Sequence, residues 1–204
     1  MDAPDVDPAA LRRSLAFIRR INALLRYNAA TVAAVRDLLP AGGSVLDVAC
    51  GSADLHDDLP GSLKYVGLDF HAATLAVAAE PRAKRAPPLV RGDALSLPLA
   101  DKSIDVAVCQ MALHHFDTKQ ATAILREMDR VSRVGWVAAD LLRRRRAAAW
   151  IRLFTLFASP MVKHDARVSV RQAWSPAEAR ALGEPFGARY RSAFGHRFLL
   201  VKRH

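Results

Sequence analysis

Between residues 43 and 140 short β-rich runs take turns with stretches of helical spacing, and this alternation restricts the fold more than any other feature. Ser44 to Ala49, Lys64 to Asp69, Leu89 to Gly92, Ile104 to Gln110 and Val134 to Asp140 read as strands. Ala53 to Leu59, Ala72 to Glu80 and Lys119 to Ser132 read as helices between them. Parallel neighbours need long crossovers, so the pattern predicts a parallel sheet with helices on both faces.

The flanks obey other rhythms. From Pro8 to Leu39 the apolar residues Leu11, Leu15, Ile18, Ile21, Leu24 and Leu25 recur at three- and four-residue steps among arginines, which is amphipathic helix. A second helix begins near Asn28 and Thr31 and stops at Pro40 and Gly42. After Asp140 come an arginine run (Arg143 to Arg146), an apolar stretch (Ala147 to Val162) and a polar link containing His164 and Asp165. Ser175 then caps a helix opened by Pro176 with Glu178 at its third position. Ala188 to Ala193 and Arg197 to Lys202 form a terminal hairpin, antiparallel by its short connection. The expected organisation is a helical cap over 1–42 and a core over 43–204 carrying a cap insertion near 141–175.

With 204 residues the chain fits one core, and 51% hydrophobic with 25% charged residues excludes wholesale disorder. Two cysteines, Cys50 and Cys109, cannot build a disulfide framework, so a reduced, cytoplasmic setting is expected. The start, MDAPDVDPAALRRS, lacks the basic and apolar regions of a signal peptide, so no export is expected. Ala147 to Val162 is too short for a bilayer span and is broken by Arg152 and Pro160; it reads as a core or cap helix. Its Trp150, Phe154 and Phe157 suit a lipophilic pocket.

Charge is unevenly placed. Residues 1–140 carry 16 Lys and Arg against 17 Asp and Glu, or −1, while residues 141–204 carry 14 against 3, or +11. Such a patch suits nucleic acid, peripheral contact with an anionic surface or an acidic substrate, although a solvated face is the commoner cause.

In open parallel sheets ligands bind beyond the carboxyl ends of the strands, where strand order reverses. The first strand leaves through VLDVACGSAD, where Gly51 admits close backbone approach. Asp69, 69 − 47 = 22 residues after Asp47, stands where a carboxylate can hold ribose hydroxyls. Gly92, Asp93 and Ala94 at the third exit offer an acceptor for an exocyclic amine. A dinucleotide would need GxGxxG and a diphosphate-friendly turn, whereas Asp47 and Asp54 repel diphosphate. A cofactor with an amino group and a sulfonium fits this rim better.

These stretches, with VRGDALSLPLADKSIDVAVCQMALHHF and LREMDRVSRVGWVAAD, cover about Ser44 to Asp140 and resemble the class I S-adenosylmethionine methyltransferases. The LPLADKSIDVAV stretch followed by LHHF is similar to the small-molecule branch of ubiquinone and menaquinone biosynthesis. Arg20 to Asn28 and HDARVSVRQAWSPAEARAL are similar to small bacterial methyltransferases of polyketide and phenolic-lipid biosynthesis. The resemblance implies a Rossmann-like α/β sheet, mostly parallel with a C-terminal antiparallel hairpin, and S-adenosyl-L-methionine as cofactor. It implies that Asp47, Ala49, Cys50 and Gly51 shape the methionine turn, Asp69 holds ribose, and Gly92, Asp93 and Ala94 meet adenine. Phe70 either covers adenine or packs in the core, and Gln110 reaches the methionine moiety. Where the family has glycines this chain reads Ala49, Cys50, Gly51, Ser52, Ala53, all small.

Methyl transfer needs an in-line nucleophile, and a base helps when the acceptor is a hydroxyl. His115 and His164 are the catalytic candidates, with His114 beside them, because histidine titrates near neutral pH. Tyr27, His164, Arg167 and Arg171 are candidate acceptor contacts. No metal is expected, since HxxxH, HExxH and paired-cysteine spacings are missing. The expected acceptor is a small aromatic or polyketide-like molecule methylated on oxygen. RNA methylation through the basic C-terminal portion is the enzymatic alternative, disfavoured because no RNA-binding motif is appended. A cofactor-binding module without chemistry is the third reading.

Overall fold

The computed structural model describes residues 7–80, 86–143, 160–193 and 196–204. Helix α1 (Pro8–Leu24) starts at Asp7, whose carboxylate accepts the Ala9 and Ala10 amides at 3.1 Å, with Pro8 in the first turn. It buries Leu11, Ser14 and Leu15. An elbow at Leu25 to Asn28 leads into α2 (Ala29–Leu38), which buries Thr31, Ala34, Val35 and Leu38.

The remaining elements are β1 (Gly43–Val48), α3 (Asp54–Asp58), β2 (Leu63–Asp69), α4 (Ala72–Ala78), β3 (Leu89–Arg91), β4 (Ile104–Gln110), a 3-10 turn (Leu113–His115) and α5 (Thr118–Val131). Next come β5 (Ser132–Leu141), α6 (Pro160–Gln172), α7 (Pro176–Gly183), β6 (Arg189–Ala193) and β7 (Arg197–Arg203). The strands form one seven-stranded sheet in the order β3-β2-β1-β4-β5-β7-β6. The first five are parallel; β7 runs antiparallel to β5 and β6 antiparallel to β7. Strand order reverses between β1 and β4, the switch point where such sheets bind ligands.

Strand parity sends successive side chains to two cores. Leu46, Val48, Ala107, Trp136, Ala138, Phe198 and Leu200 meet α5 and α7 on one face. Val45, Val106, Val108, Val137, Ala139 and Leu199 meet α2 on the other. The α5 side chains Ile124, Leu125 and Met128 are fully buried, each worth about 1.5–3 kcal/mol relative to exposure. Helices α5 and α7 both open on complete capping boxes, Asp117 with Gln120 and Ser175 with Glu178.

One sequence expectation is corrected. The polar link expected around His164 and Asp165 is part of helix α6, because no glycine or proline interrupts Met161 to Gln172 and the buried Val162 and Val170 lie eight residues apart on one helical face. The side chain of His164 lies outside the described residues, as do Arg144 to Arg146 and the apolar stretch up to Ser159. No helix among the described residues is long and apolar enough to cross a membrane.

The antiparallel edge depends on Gly135. A Cβ there would lie 2.0 Å from the Lys202 carbonyl oxygen, and its φ is +156°. Gly135→Ala is therefore expected to lower unfolding stability by about 3 kcal/mol or more, read as a reduced urea midpoint.

Candidate active site

The turn after β1 has an unusual backbone. Ala49, Gly51 and Ala53 all adopt left-handed φ values, +56°, +55° and +56°. Such φ values cost an L-residue about 1–2 kcal/mol and suit glycine. These are the alternate positions where the family resemblance calls for glycine. Alanine, the smallest side chain with a Cβ, fills two of them. A Cβ on Gly51 would meet nothing within 4 Å, so this stretch of backbone faces open space.

Asp69 holds that turn. Its Oδ2 accepts the Gly51 amide and its Oδ1 accepts the His71 amide, each at 2.9 Å. The carboxylate thus ties the β1 exit to the β2 exit, and each oxygen keeps a further lone pair for a ligand. Beneath the turn the Tyr65 hydroxyl donates to Asp47 Oδ2 at 2.8 Å. Gly67 makes room for this arrangement, since a Cβ would lie 2.8 Å from Cys50 Sγ and 2.9 Å from the Tyr65 hydroxyl. Burial pushes the Asp47 carboxyl up to about 7, with the Tyr65 hydrogen bond opposing and Asp54 and Asp69 adding to the rise. Burial likewise raises the Cys50 thiol, so it is a packing group.

The third exit is partly as expected. Asp93 is exposed and caps its own turn by accepting the Leu95 amide at 2.9 Å, while Ala94 is buried in the core beside Leu97. Gly92 is half-buried, and a Cβ there would press on Leu68 at 2.9 Å. Phe70 is 57% exposed, so the core alternative fails and the ring stands on the rim beside Arg91 and His71.

The elbow between α1 and α2 closes over the ends of β4 and β7. Asn28 Nδ2 donates to Asp58 Oδ2 at 2.7 Å and to the Asp54 carbonyl at 3.2 Å, and Asn28 accepts from Gln110 Nε2. Thr31 donates to Gln110 Oε1 at 2.5 Å. Both ends of the Gln110 amide are thereby engaged, so its side chain fastens the helical elbow to the strand end. Tyr27 shares a 2.6 Å hydrogen bond with His196 Nε2, and its carbonyl accepts from Arg197.

On the opposite face of the sheet, Asp140 is fully buried at the end of β5. It takes the His114 amide at 2.8 Å, His114 Nδ1 at 2.7 Å and the Leu141 amide at 2.6 Å. The His115 ring lies 4.2 Å from that of His114, centroid to centroid. Helix α6 packs against this 3-10 turn. Among the sequence candidates, His114 is therefore the histidine set against a carboxylate, with the tilted ring of His115 beside it. Arg167 and Arg171 are exposed on α6, and the Arg171 carbonyl accepts from Arg143.

The described arginines of the basic C-terminal portion are dispersed. Arg189, Arg191 and Arg203 line a cavity of about 560 Å³ with Ala34, Asp37 and Leu38, toward the amino ends of the parallel strands. That end lies away from the rim, so this charge does not face the strand exits. No group of three or more potential metal ligands occurs among the described residues.

Residues 46–138 match the family model described as a methyltransferase domain. The matched stretch runs from β1 into β5. The acidic, open rim suits the amino group and sulfonium of S-adenosylmethionine. The domain is 35% identical over 106 residues to a demethylmenaquinone methyltransferase of Roseiflexus sp. (strain RS-1), covering 50% of this chain and 43% of that protein. It is 37% identical over 110 residues to a 2-phytyl-1,4-naphtoquinone methyltransferase of Thermosynechococcus vestitus, covering 50% and 47%. The chain thus spans about half the length of the curated relatives it matches. In fold it is similar to a magnesium protoporphyrin IX methyltransferase from Synechocystis PCC 6803 solved with bound SAH, with TM-score 0.57 and 19% identity over 85% of this chain and 82% of that one.

Sequence reasoning passed over Asn28, His196 and Arg197. Asn28 looked like a helix cap, but its backbone is itself helical and it makes no cap bond. Arg197 shares strand parity with the inward Leu199 and Val201, a signal that was present in the pattern.

The raised Asp47 carboxyl makes stability depend on pH. Its folded value lies above the unfolded 3.8, so its contribution is complete below about pH 4 and lost as pH rises through about 7. Asp47→Asn, a stand-in for the protonated acid, removes that loss. Between pH 5 and pH 8 the parent protein is expected to lose at least about 1.4 kcal/mol relative to Asp47→Asn in urea unfolding, the equivalent of one pKa unit.

Proposed function

We propose that the protein transfers the methyl group of S-adenosylmethionine to a hydroxyl of a small aromatic or polyketide-like acceptor. The observation that carries the oxygen preference is the buried pair of His114 and Asp140, 2.7 Å apart at the ends of β4 and β5. A carboxylate accepts, so Nδ1 of His114 holds the proton. That is the arrangement of a base oriented by a carboxylate.

S-adenosylmethionine supplies an electrophilic methyl group on sulfur. Asp69 would hold the ribose, the turn of Asp47, Ala49, Cys50 and Gly51 would receive the methionine end, and Gly92, Asp93, Ala94 and Phe70 would meet adenine. Gln110 positions the elbow above the methionine end. His114 would serve as the base for the acceptor's hydroxyl proton, oriented by Asp140, whose charge would stabilise the protonated ring. His115 supports the ring of His114, while Tyr27, Arg167 and Arg171 are the acceptor contacts under α1 and α2. The names of the quinone-modifying relatives support a small ring-containing acceptor.

The test is methyl transfer from labelled S-adenosylmethionine to a panel of phenols and hydroxylated naphthoquinones, with the methylated atom located by NMR. An O-methyl product is expected. His114→Ala is expected to lower kcat about 100-fold or more with cofactor affinity unchanged, the usual scale for loss of a general base. Methyl found only on ring carbon, or full activity in His114→Ala, contradicts the reading.

A further inference from the structure

Arg197 is 3% exposed, yet no carboxylate pairs with it among the described residues. Its Nη1 donates to the Tyr27 carbonyl, its guanidinium carbon lies 4.1 Å from the centroid of the Tyr27 ring, and its buried Nε donates to nothing. A buried cation without a counter-ion is costly, and natural proteins seldom keep one unless something pairs with it. Burial draws its ionisation below the ordinary arginine value without a carboxylate to restore it.

Position gives the cation a purpose. Arg197 opens β7 opposite Leu141, the last residue of β5, and so stands on the same rim as Gln110 and the His114–Asp140 pair. Tyr27 and Asn28 are consecutive, one bound to His196 and Arg197 on β7 and its approach, the other to Gln110 on β4. The elbow therefore spans the exit of β5, with the arginine beneath it. Nη1 is taken by Tyr27, which leaves the edge formed by Nε and Nη2, and that edge matches the two oxygens of a carboxylate. The tyrosine hydroxyl and the His196 imidazole, 2.6 Å apart, add polar groups at the same place.

We propose that Arg197, with Tyr27 and His196, binds a carboxylate carried by the acceptor, so that the preferred substrates are hydroxylated aromatic acids rather than neutral phenols. This rests on the reading of the rim as the acceptor site. It assigns the acid-binding role to Arg197 in place of the exposed Arg167 and Arg171.

The experiment is calorimetric titration of the full chain, saturated with S-adenosylhomocysteine, with salicylate and separately with salicylamide. The two probes share ring and hydroxyl and differ in charge. Salicylate is expected to bind at least tenfold more tightly. Arg197→Gln is expected to erase that difference while leaving S-adenosylhomocysteine affinity essentially unchanged, a split that a merely structural arginine would not produce. Arg197→Lys, which keeps the charge and loses the fork, is expected to fall between. Equal affinities, or binding of neither probe, overturn the proposal, and the comparison on the unmodified protein decides it even where a variant fails to fold. O-methylation of neutral phenols alongside equal binding of the two probes would leave the hydroxyl reading standing and end this one. Failure to bind S-adenosylhomocysteine would instead strike at the methyl-transfer reading itself.

Discussion

The rim of this protein depends on one carboxylate. Asp69 takes the Gly51 amide with one oxygen and the His71 amide with the other, so the turn after β1 cannot move independently of the turn after β2. The fixed turn carries left-handed backbone at Ala49, Gly51 and Ala53, a conformation two alanines would not choose unaided. Strain of this kind persists where surrounding structure over-determines it. Here the surroundings are the Asp69 clamp above and the packed set of Tyr65, Asp47, Cys50 and Gly67 below. The outcome is a fixed turn of small residues bordered by the acidic side chains of Asp47, Asp54 and Asp69.

From that clamp the rest of the rim divides by sheet face. Strand parity places Asp47, Gln110 and Arg197 on the α2 face and Asp140 on the α5 face. The first face holds the elbow, through Asn28, Thr31 and Tyr27. The second holds His114. A ligand lying across the exits of β1, β4 and β5 would meet acidic groups at one end and a carboxylate-oriented histidine at the other. Such a polarity suits a cation-bearing cofactor beside a hydroxylated acceptor.

Much of this architecture was readable in the residues. Alternation of β-rich and helical runs predicted the parallel sheet, and it placed Asp47 and Asp69 at the ends of neighbouring strands, because both rest on local pattern and on topology. What escaped was long-range pairing. Nothing local links Asn28 to Gln110, Tyr27 to His196, or His114 to Asp140, separated by 82, 169 and 26 residues. Helix α6 was misread for a different reason, since its polar residues His164 and Asp165 hid the spacing of Val162 and Val170. His114 and His115 could not be ranked from sequence, because only the folded chain shows which ring meets the carboxylate.

Hydrogen–deuterium exchange with and without S-adenosylhomocysteine tests the rim most directly. Slowed exchange confined to residues 49–53, 69–71 and 92–95 is the result expected if the Asp69-clamped turns hold the cofactor. Unchanged exchange across these turns, or protection centred on the arginine-lined cavity between α2 and β6, would contradict it.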